Sequence, residues 1–257
     1  MHICIRLAAL ILLFFPVLAS AQPVQGAHGA KFGEYQLRVT TEPESVQAGA
    51  PFQLTLNILD ANGAAFSDFE ENPNKFFDLI IVRDGLDEFA RLSPGQGPDG
   101  AFGGPLRISV PGRYLLYADF TPRGGSPITA MAELTVQGAA PEAPALTPHV
   151  PGRIATNTLG AEVGVEKTSG AHRIELKLSQ PDGNPVTDME PYLGARGMMV
   201  FISADGTEFV RGNIVEGGNA TDMTFEAHFP RPGLYKAFGE FLRAGKLHEL
   251  PFVLNIE

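Results

Sequence analysis

The 257-residue sequence predicts an all-β protein built from two tandem β-sandwich domains that are joined by an Ala/Pro-rich linker. Short segments in which apolar and polar residues alternate, separated by Gly- and Pro-rich turns, predict the strands. An internal repeat predicts the two domains. The chain has one cysteine, Cys4, near its start, so we expect each domain to be stabilised by its apolar core rather than by disulfides.

Residues 1–21 are predicted to be a signal peptide. A short basic start precedes an apolar run at residues 7–18, and an Ala-Ser-Ala motif ends at Ala21, where we expect cleavage. The run is shorter than the roughly 20 residues of a membrane-spanning helix, although retention of this segment as a membrane anchor is the alternative. The sequence therefore predicts a periplasmic or secreted protein, with residues 22–33 as a loose leader and no membrane insertion after cleavage.

The strongest signal in the sequence is an internal repeat. Residues 56–91 align without a gap with residues 176–211, at a constant offset of 120 and with seven identical pairs. A Pro-Gly-x-Tyr motif then recurs at an offset of 121, ending at Tyr114 and at Tyr235. Because these matches keep their order over most of both halves, we interpret the chain as a tandem duplication.

The repeat sets the predicted domain boundaries. We place the first β-sandwich domain at residues 34–137 and the second at residues 153–257. The intervening residues 138–152 contain four prolines and show no apolar periodicity. This composition favours extended backbone geometry, so we expect a semi-rigid spacer.

Each copy contains the strand pattern of a sandwich of the immunoglobulin type. Residues 52–59 and 173–178 alternate apolar and polar side chains, which is typical of strands with one buried face. Solid apolar runs at residues 79–82 and 198–202 indicate central strands that are covered on both faces. Seven short strands in about 100 residues, separated by turn residues, favour an immunoglobulin-like sandwich.

One tyrosine in each copy marks the start of the penultimate strand. Tyr114 and Tyr235 follow a Pro-Gly turn, the position at which immunoglobulin-like folds place a tyrosine whose hydroxyl bonds to nearby backbone. The alternative is an ordinary core tyrosine after a turn. Both interpretations make these residues structural.

No motif in the sequence predicts a catalytic centre. A Gly-x-Ser-x-Gly motif is missing, and the glycine-rich run at residues 95–100 lacks the lysine of a phosphate-binding loop. The net charge of −10 argues against nucleic acids and anionic membranes as partners. We therefore predict a protein that is not an enzyme, with an enzyme that uses two loop carboxylates as an alternative.

One segment carries a resemblance to a known family. The sequence Glu-Pro-Tyr-Leu-Gly-Ala-Arg-Gly at residues 190–197, followed by the apolar residues 198–202, resembles periplasmic immunoglobulin-like proteins of the YtkA-like, copper-associated kind. Residues 77–82 resemble the corresponding strand. In that family histidines on neighbouring strands follow such a motif, so the resemblance implies a three-nitrogen site suited to copper or zinc.

The sequence departs from the family pattern wherever those histidines would stand. The residues present instead are Asp78, Arg91 and Ser93 in the first copy and Met198, Arg211 and Asn213 in the second. Arginine stays protonated in proteins and offers no lone pair to a metal. We therefore expect no histidine metal site and no bound cofactor.

Four residues are candidates for ligand binding, because they occupy equivalent positions in the two copies. They are Phe89 and Arg91 in the first copy and Phe209 and Arg211 in the second. The guanidinium groups could bind a carboxylate or an acidic group of a partner. The alternative is that each arginine lies on the surface and pairs with the neighbouring glutamate, Glu88 or Glu208.

Three methionines are candidates for a soft metal site. The thioethers of Met198, Met199 and Met223 could together bind Cu(I), which prefers sulfur ligands. The alternative is that these methionines fill the apolar core, the usual role of methionine on buried strands.

The function predicted from the sequence is binding rather than catalysis. We expect a non-enzymatic exported binding or accessory protein whose two immunoglobulin-like domains present loops to an unknown periplasmic protein or small ligand. The alternative is a periplasmic carrier or homeostasis protein for copper, as the family resemblance implies.

Overall fold

The structure is a computed structural model that describes residues 35–70, 77–97, 99–215 and 221–257. All of the secondary-structure elements in these ranges are β-strands, so the predicted all-β class is confirmed. The predicted signal peptide and leader, residues 1–21 and 22–33, lie outside the described residues. Within those residues the structure has no helix that is long and apolar enough to cross a membrane.

The N-terminal half consists of two sheets. Its strands are β1 (Gln36–Glu42), β2 (Val46–Gln47), β3 (Pro51–Leu59), β4 (Asp78–Arg83), β5 (Phe89–Leu92), β6 (Phe102–Arg107), β7 (Gly112–Phe120) and β8 (Ile128–Gln137). One sheet has the order β1-β3-β6 and the other the order β2-β8-β7-β4-β5. Alternate side chains of both sheets form one core cluster, to which β3 contributes Leu54 and Leu56 and β7 contributes Leu116.

The C-terminal half repeats the main strand pairings of the N-terminal half and adds others. Its strands are β9 (Gly152–Ala155), β10 (Gly160–Lys167), β11 (His172–Ser179), β12 (Met189–Glu190), β13 (Met198–Ser203), β14 (Phe209–Val215), β15 (Asp222–Ala227), β16 (Gly233–Arg243) and β17 (Lys246–Ile256). They follow the order β12-β16-β13-β14-β15-β11-β10-β9, with β17 also paired to β16. The short strands β9 and β12 are added beside β10 and β16. A further difference is β14, which pairs with β13 along its first part and with β15 along its second part.

The solid apolar runs of the sequence are strands buried on both faces. Every residue of β4 is buried, as are all residues of β13 after Met198. Successive side chains of a strand point to opposite faces. Leu79 and Ile81 of β4 therefore belong to the core cluster of the N-terminal half, whereas Ile80 and Val82 belong to a separate cluster.

That separate cluster joins the two halves of the chain. It contains Ile80, Val82, Leu86, Leu115 and Tyr117 from the N-terminal half and Val200, Ile202 and Phe238 from the C-terminal half. The outer faces of β4 and β7 thus pack against the outer faces of β13 and β16. We call this contact the half–half interface.

The two tyrosines that follow the Pro-Gly turns bond to nearby backbone, as in the first of the two interpretations. The Tyr114 hydroxyl donates to the carbonyl oxygen of Val110 at 2.7 Å, and the Tyr235 hydroxyl donates to that of Arg231 at 3.0 Å. Both bonds reach back four residues, and each ties the start of a buried strand, β7 or β16, to the loop before it.

The segment between the halves is attached to both of them. Arg83 of the N-terminal half donates from Nη1 to the carbonyl oxygen of Pro141 at 3.0 Å. Near its other end, the backbone N–H of His149 donates to the carbonyl oxygen of Val253 at 2.8 Å. Leu146 packs against the half–half interface. This segment therefore follows the surface of both halves instead of standing away from them.

Candidate functional site

The structure places the four residues predicted to bind a ligand at the half–half interface. Phe89 and Arg91 lie on β5, and Phe209 and Arg211 lie on β14, each beside the strand that carries the interface. Their side chains project from the outer faces of the sheets. In this structure they contact the opposite half of the same chain, and binding of an external ligand by them stays a prediction.

The two phenylalanines make reciprocal stacking contacts. The ring of Phe89 stacks on that of Phe238 with centroids 4.3 Å apart and an interplanar angle of 11°. The ring of Phe209 stacks on that of Tyr117 with centroids 4.9 Å apart and an angle of 24°. Tyr117 and Phe238 are themselves equivalent positions at an offset of 121. Each half therefore offers the same pair of positions to the other, as the two partners of a symmetric dimer do.

Tyr117 makes an additional bond across the interface. Its buried hydroxyl donates to the carbonyl oxygen of Gly206 in the C-terminal half at 2.8 Å. Burial, followed by the nearby Asp205 carboxylate, raises the pKa of the Tyr117 hydroxyl well above its ordinary value. Gly206 has φ +70, and a Cβ there would lie 2.3 Å from a methyl carbon of Leu115. Glycine at this turn therefore permits the close approach of the two halves.

The two arginines form reciprocal ion pairs across the same interface. The side chain of Arg91 is 2% exposed and pairs with Asp78 of its own half and with Glu240 of the other half. Arg211 pairs with Asp119 of the N-terminal half. Asp119 and Glu240 are equivalent at an offset of 121, so the ion pairs repeat the symmetry of the aromatic pairs.

These ion pairs differ from the alternative interpretation, in which each arginine pairs with the neighbouring glutamate on the surface. Arg91 is buried and is not a surface residue paired with Glu88. In the C-terminal half Glu208 pairs with Arg231 instead of Arg211. Three carboxylates of the cluster are buried as well, those of Asp78, Asp119 and Glu240. A buried charge is tolerated only when it is paired, so these partners hold one another in place.

The electrostatics of the cluster follow from its burial. Burial raises the pKa of Glu240, and the adjacent Arg91 opposes this rise. Burial alone would lower the pKa of Arg91, but Asp78 and Glu240 outweigh it and keep the guanidinium charged. Glu240 is therefore the member of this pair that takes up a proton when the pH falls.

The three methionines are not brought to one face. Met199 and Met223 are each 2% exposed and lie in the core cluster of the C-terminal half. Met198 is adjacent to Met199 on β13, so its side chain projects to the opposite face of the sheet. Among the described residues there is also no group of three or more His, Cys, Asp and Glu side chains that could hold a metal. Copper binding by these methionines stays a prediction.

A second site was not predicted from the sequence. Between β5 and β6 the N-terminal half contains an apolar groove with a volume of about 220 Å³. Four leucines line it, Leu54, Leu79, Leu92 and Leu106, and we call it the leucine groove. The remaining lining residues are Ser93, Pro94, Gly103, Gly104 and Pro105.

The groove exists because the two halves differ at equivalent positions. In the C-terminal half, residues 213–215 of β14 continue the strand and pair with β15, which joins the two sheets. The equivalent residues 93–95 are Ser-Pro-Gly, and β5 ends before them at Leu92. Pro94 has no N–H to donate to a ladder, so the strand stops there.

The opposite wall of the groove, formed by β6, also has a smaller side chain than the equivalent strand of the C-terminal half. Gly104 of β6 stands where β15 has Phe225, whose ring is fully buried. A Cβ built at Gly104 would meet nothing within 4 Å. Leu92 and Leu106 stand where the C-terminal half has Gly212 and Ala227, so larger side chains recover part of the lost volume. Comparing residues 92–95 with 212–215 is the sequence signal that could have found this groove.

The C-terminal half has a larger and more polar depression. Its volume is about 490 Å³, and its lining includes the charged side chains of Arg153, Glu162, Lys177 and Asp222. The first three are exposed. This mixture of charges provides no single chemistry for a ligand.

Comparison with known protein families gives a match for a segment of the C-terminal half. Residues 156–257 match the family described as Domain of unknown function (DUF8832), a region that lies within the C-terminal half. No curated protein matches the chain.

Several solved structures resemble the chain at low identity. FdeC, an adhesin of Escherichia coli, is 22% identical with a TM-score of 0.30, over 88% of this chain and 65% of that chain. InvD of Yersinia pseudotuberculosis is 13% identical with a TM-score of 0.27, over 86% and 57%. Domains 4 and 5 of the S-layer protein SbsC are 16% identical with a TM-score of 0.25, over 87% and 98%. This chain thus spans less than two thirds of FdeC and of InvD, and TM-scores this low support no functional conclusion.

Proposed function

We propose that this chain is a non-enzymatic exported binding or accessory protein. It consists of two immunoglobulin-like sandwich domains, at residues 34–137 and 153–257, which the segment 138–152 connects. The observation that supports this proposal is the half–half interface. Stacked rings, a shared apolar cluster and buried ion pairs hold the halves in one arrangement, so both halves present their exposed loops at a fixed separation.

A rigid arrangement is the property that a binding frame needs. A surface that is already ordered loses little conformational entropy when a partner binds, so more of the contact energy contributes to affinity. Loops held on a packed sheet framework are the usual place for such recognition. The proposed partner is a protein or small ligand of the periplasm or the extracellular space, because residues 1–21 have the features of a signal peptide.

Photo-crosslinking in the producing cell tests this proposal. A photoreactive amino acid is introduced singly at exposed positions of both halves, such as Asn62, Ser93 and Asp182. We expect a reproducible adduct from at least one position, reduced at least fivefold by an excess of purified unlabelled protein. The absence of a competed adduct at every position would contradict a binding function.

A matched variant tests whether the rigid frame contributes. Phe89→Ser/Phe209→Ser removes one ring from each stacked pair but leaves both core clusters intact. If binding uses both halves together, the adduct decreases in this variant while each half keeps its fold. An adduct of unchanged intensity would show that one half binds alone.

Copper carriage is a second proposal, supported by the family resemblance and by the location of Met199 and Met223 in one core cluster. Titration of the purified protein with Cu(I) tests it. Stoichiometric binding that disappears in Met199→Leu/Met223→Leu would support this proposal over the first. Binding that is equal in the variant would exclude these thioethers as ligands.

A further inference from the structure

The leucine groove lies beside a strand whose second edge is open along part of its length. Among the described residues, β6 pairs with β3 along one edge. On its other edge Phe102 forms a bridge with Gln96, and Gly103, Gly104 and Pro105 beyond it face the groove. One face of β6 is turned toward the core and carries Phe102, Gly104 and Leu106, whereas Pro105 on the other face is exposed. The groove therefore combines an apolar floor with the backbone groups of a strand edge. Strand edges of this kind recruit extended polypeptide segments, with main-chain bonds for affinity and pockets for alternate side chains.

The second half of the molecule shows what fits there. In that half the extended segment Asn213–Val215 occupies the equivalent place and pairs with Glu226, Phe225 and Thr224 of β15. Ile214, the central residue of the segment, packs against the core cluster. The equivalent partners in β6 are Pro105, Gly104 and Gly103. One repeat therefore closes itself with its own chain, and the other leaves the same position open.

The size and chemistry of the groove select its occupant. An apolar cavity of about 150 Å³ binds one benzene molecule, so about 220 Å³ accepts one side chain of the size of Ile, Leu or Phe. Four leucines around it disfavour a charged side chain, because they offer no polar partner in place of the lost water. Pro105 lacks an N–H, so the added ladder is short and the buried side chain provides most of the affinity.

We propose that the leucine groove binds an extended polypeptide segment of a partner protein, which adds to β6 as a strand and inserts one apolar side chain between the sheets. This inference rests on the proposed binding function and specifies its partner. The occupant is a strand-forming segment with Ile, Leu or Phe at its centre, as residues 213–215 are in the other half.

The test uses the full mature chain and three peptides that differ at one position. The first is the protein's own segment 209–215, Phe-Val-Arg-Gly-Asn-Ile-Val, with both ends blocked. In the second peptide Phe replaces Ile214, and in the third Asp replaces it. Binding is followed from the amide signals of Gly103, Gly104 and Leu106 in an isotope-labelled sample. We expect saturable shifts at these amides with the Ile or Phe peptide, and at least tenfold weaker binding of the Asp peptide.

A protein variant provides the matched control. Ser93→Asn/Pro94→Ile/Gly95→Val gives the N-terminal half the residues with which the C-terminal half closes itself. We expect this variant to bind the peptides at least tenfold more weakly than the wild type. If it does not fold, Leu106→Trp, which fills the groove with one larger side chain, takes its place with the same expected loss.

Two results would overturn the inference. One is the lack of saturable shifts at the groove amides with both the Ile and the Phe peptide. The other is equal affinity of the wild type and the closed or filled variant. Crosslinking at Asn62 or Asp182 but not at Ser93 would leave the general binding function in place while rejecting this site, so the two failures can be told apart.

Discussion

At the scale of single residues, the buried charges of the half–half interface decide how the two halves meet. Arg91 neutralises Asp78 and Glu240, which come from different halves. Removing one member of a buried ion pair costs about 3–5 kcal/mol, because it leaves an uncompensated buried charge. We therefore predict a loss of that size for Arg91→Met, measured from urea unfolding.

The control for this prediction is an exposed arginine. Arg123 pairs with Asp68 on the surface, where solvent screens the ion pair and leaves it little net effect on stability. We therefore expect Arg123→Met to unfold at nearly the same urea concentration as the wild type. A loss below about 1 kcal/mol for Arg91→Met would mean that the interface charges do not depend on one another.

A second residue-scale prediction concerns acid stability at the turn after β13. Burial alone would raise the pKa of Asp205, but hydrogen bonds from Ser203, Arg231 and Thr207 hold it well below the ordinary value of 3.8. A carboxyl whose pKa is lowered by folding contributes stability at pH values above 3.8, and this contribution is lost as the pH falls further.

The measurement is thermal unfolding of the wild type and Asp205→Asn as a function of pH. We expect the variant to be less stable at neutral pH and to lose less stability than the wild type below pH 4 or so. Parallel pH profiles for the two proteins would show that this carboxylate does not contribute to the acid sensitivity.

At the scale of strands, the two glycines of β6 have different roles. A Cβ at Gly103 (φ +138) would lie 2.0 Å from the carbonyl oxygen of Leu54, whereas a Cβ at Gly104 (φ +158) meets nothing within 4 Å. We predict that Gly103→Ala destabilises the protein by at least about 2 kcal/mol more than Gly104→Ala, because the clash with β3 must be relieved. Equal losses in chemical denaturation would contradict the close approach of the two strands.

The strands themselves could largely be predicted from the sequence. In β3 the period-two pattern predicts which side chains are buried, and Leu54, Leu56 and Ile58 are. The solid run of β4 indicated a strand covered on both faces. It could not show that the outer cover of Ile80 and Val82 is the other half, because hydrophobic periodicity reports burial and not the identity of the neighbour.

The candidate sites were harder to predict, because the sequence does not show which distant residues become neighbours in the fold. The equivalence of Arg91 and Arg211 was visible in the repeat, but their partners Glu240 and Asp119 are distant in sequence and belong to the opposite half. The leucine groove depends on two local differences between the repeats, at Pro94 and at Gly104. Only the pairing of β14 with β15 shows that these two positions lie opposite each other.

At the scale of the whole molecule, the proposed binding function requires the two halves to form one rigid unit. The reciprocal contacts of Phe89 with Phe238 and of Phe209 with Tyr117 are at the centre of this unit. We predict that Phe89→Ser/Phe209→Ser frees the halves from each other while both sandwiches stay folded. Small-angle X-ray scattering should then show a larger radius of gyration, with little change in the far-ultraviolet circular dichroism.

The most direct test is the distance distribution between spin labels at Asn62→Cys and Asp182→Cys, two exposed turn positions that are equivalent in the repeats. Labelling is selective when the protein is produced without residues 1–21, because Cys4 is the chain's one native cysteine. If the halves form one rigid unit, pulsed electron paramagnetic resonance will give one narrow distance distribution, which broadens in the Phe89→Ser/Phe209→Ser background. A broad distribution in the otherwise unmodified protein would show that the halves move independently.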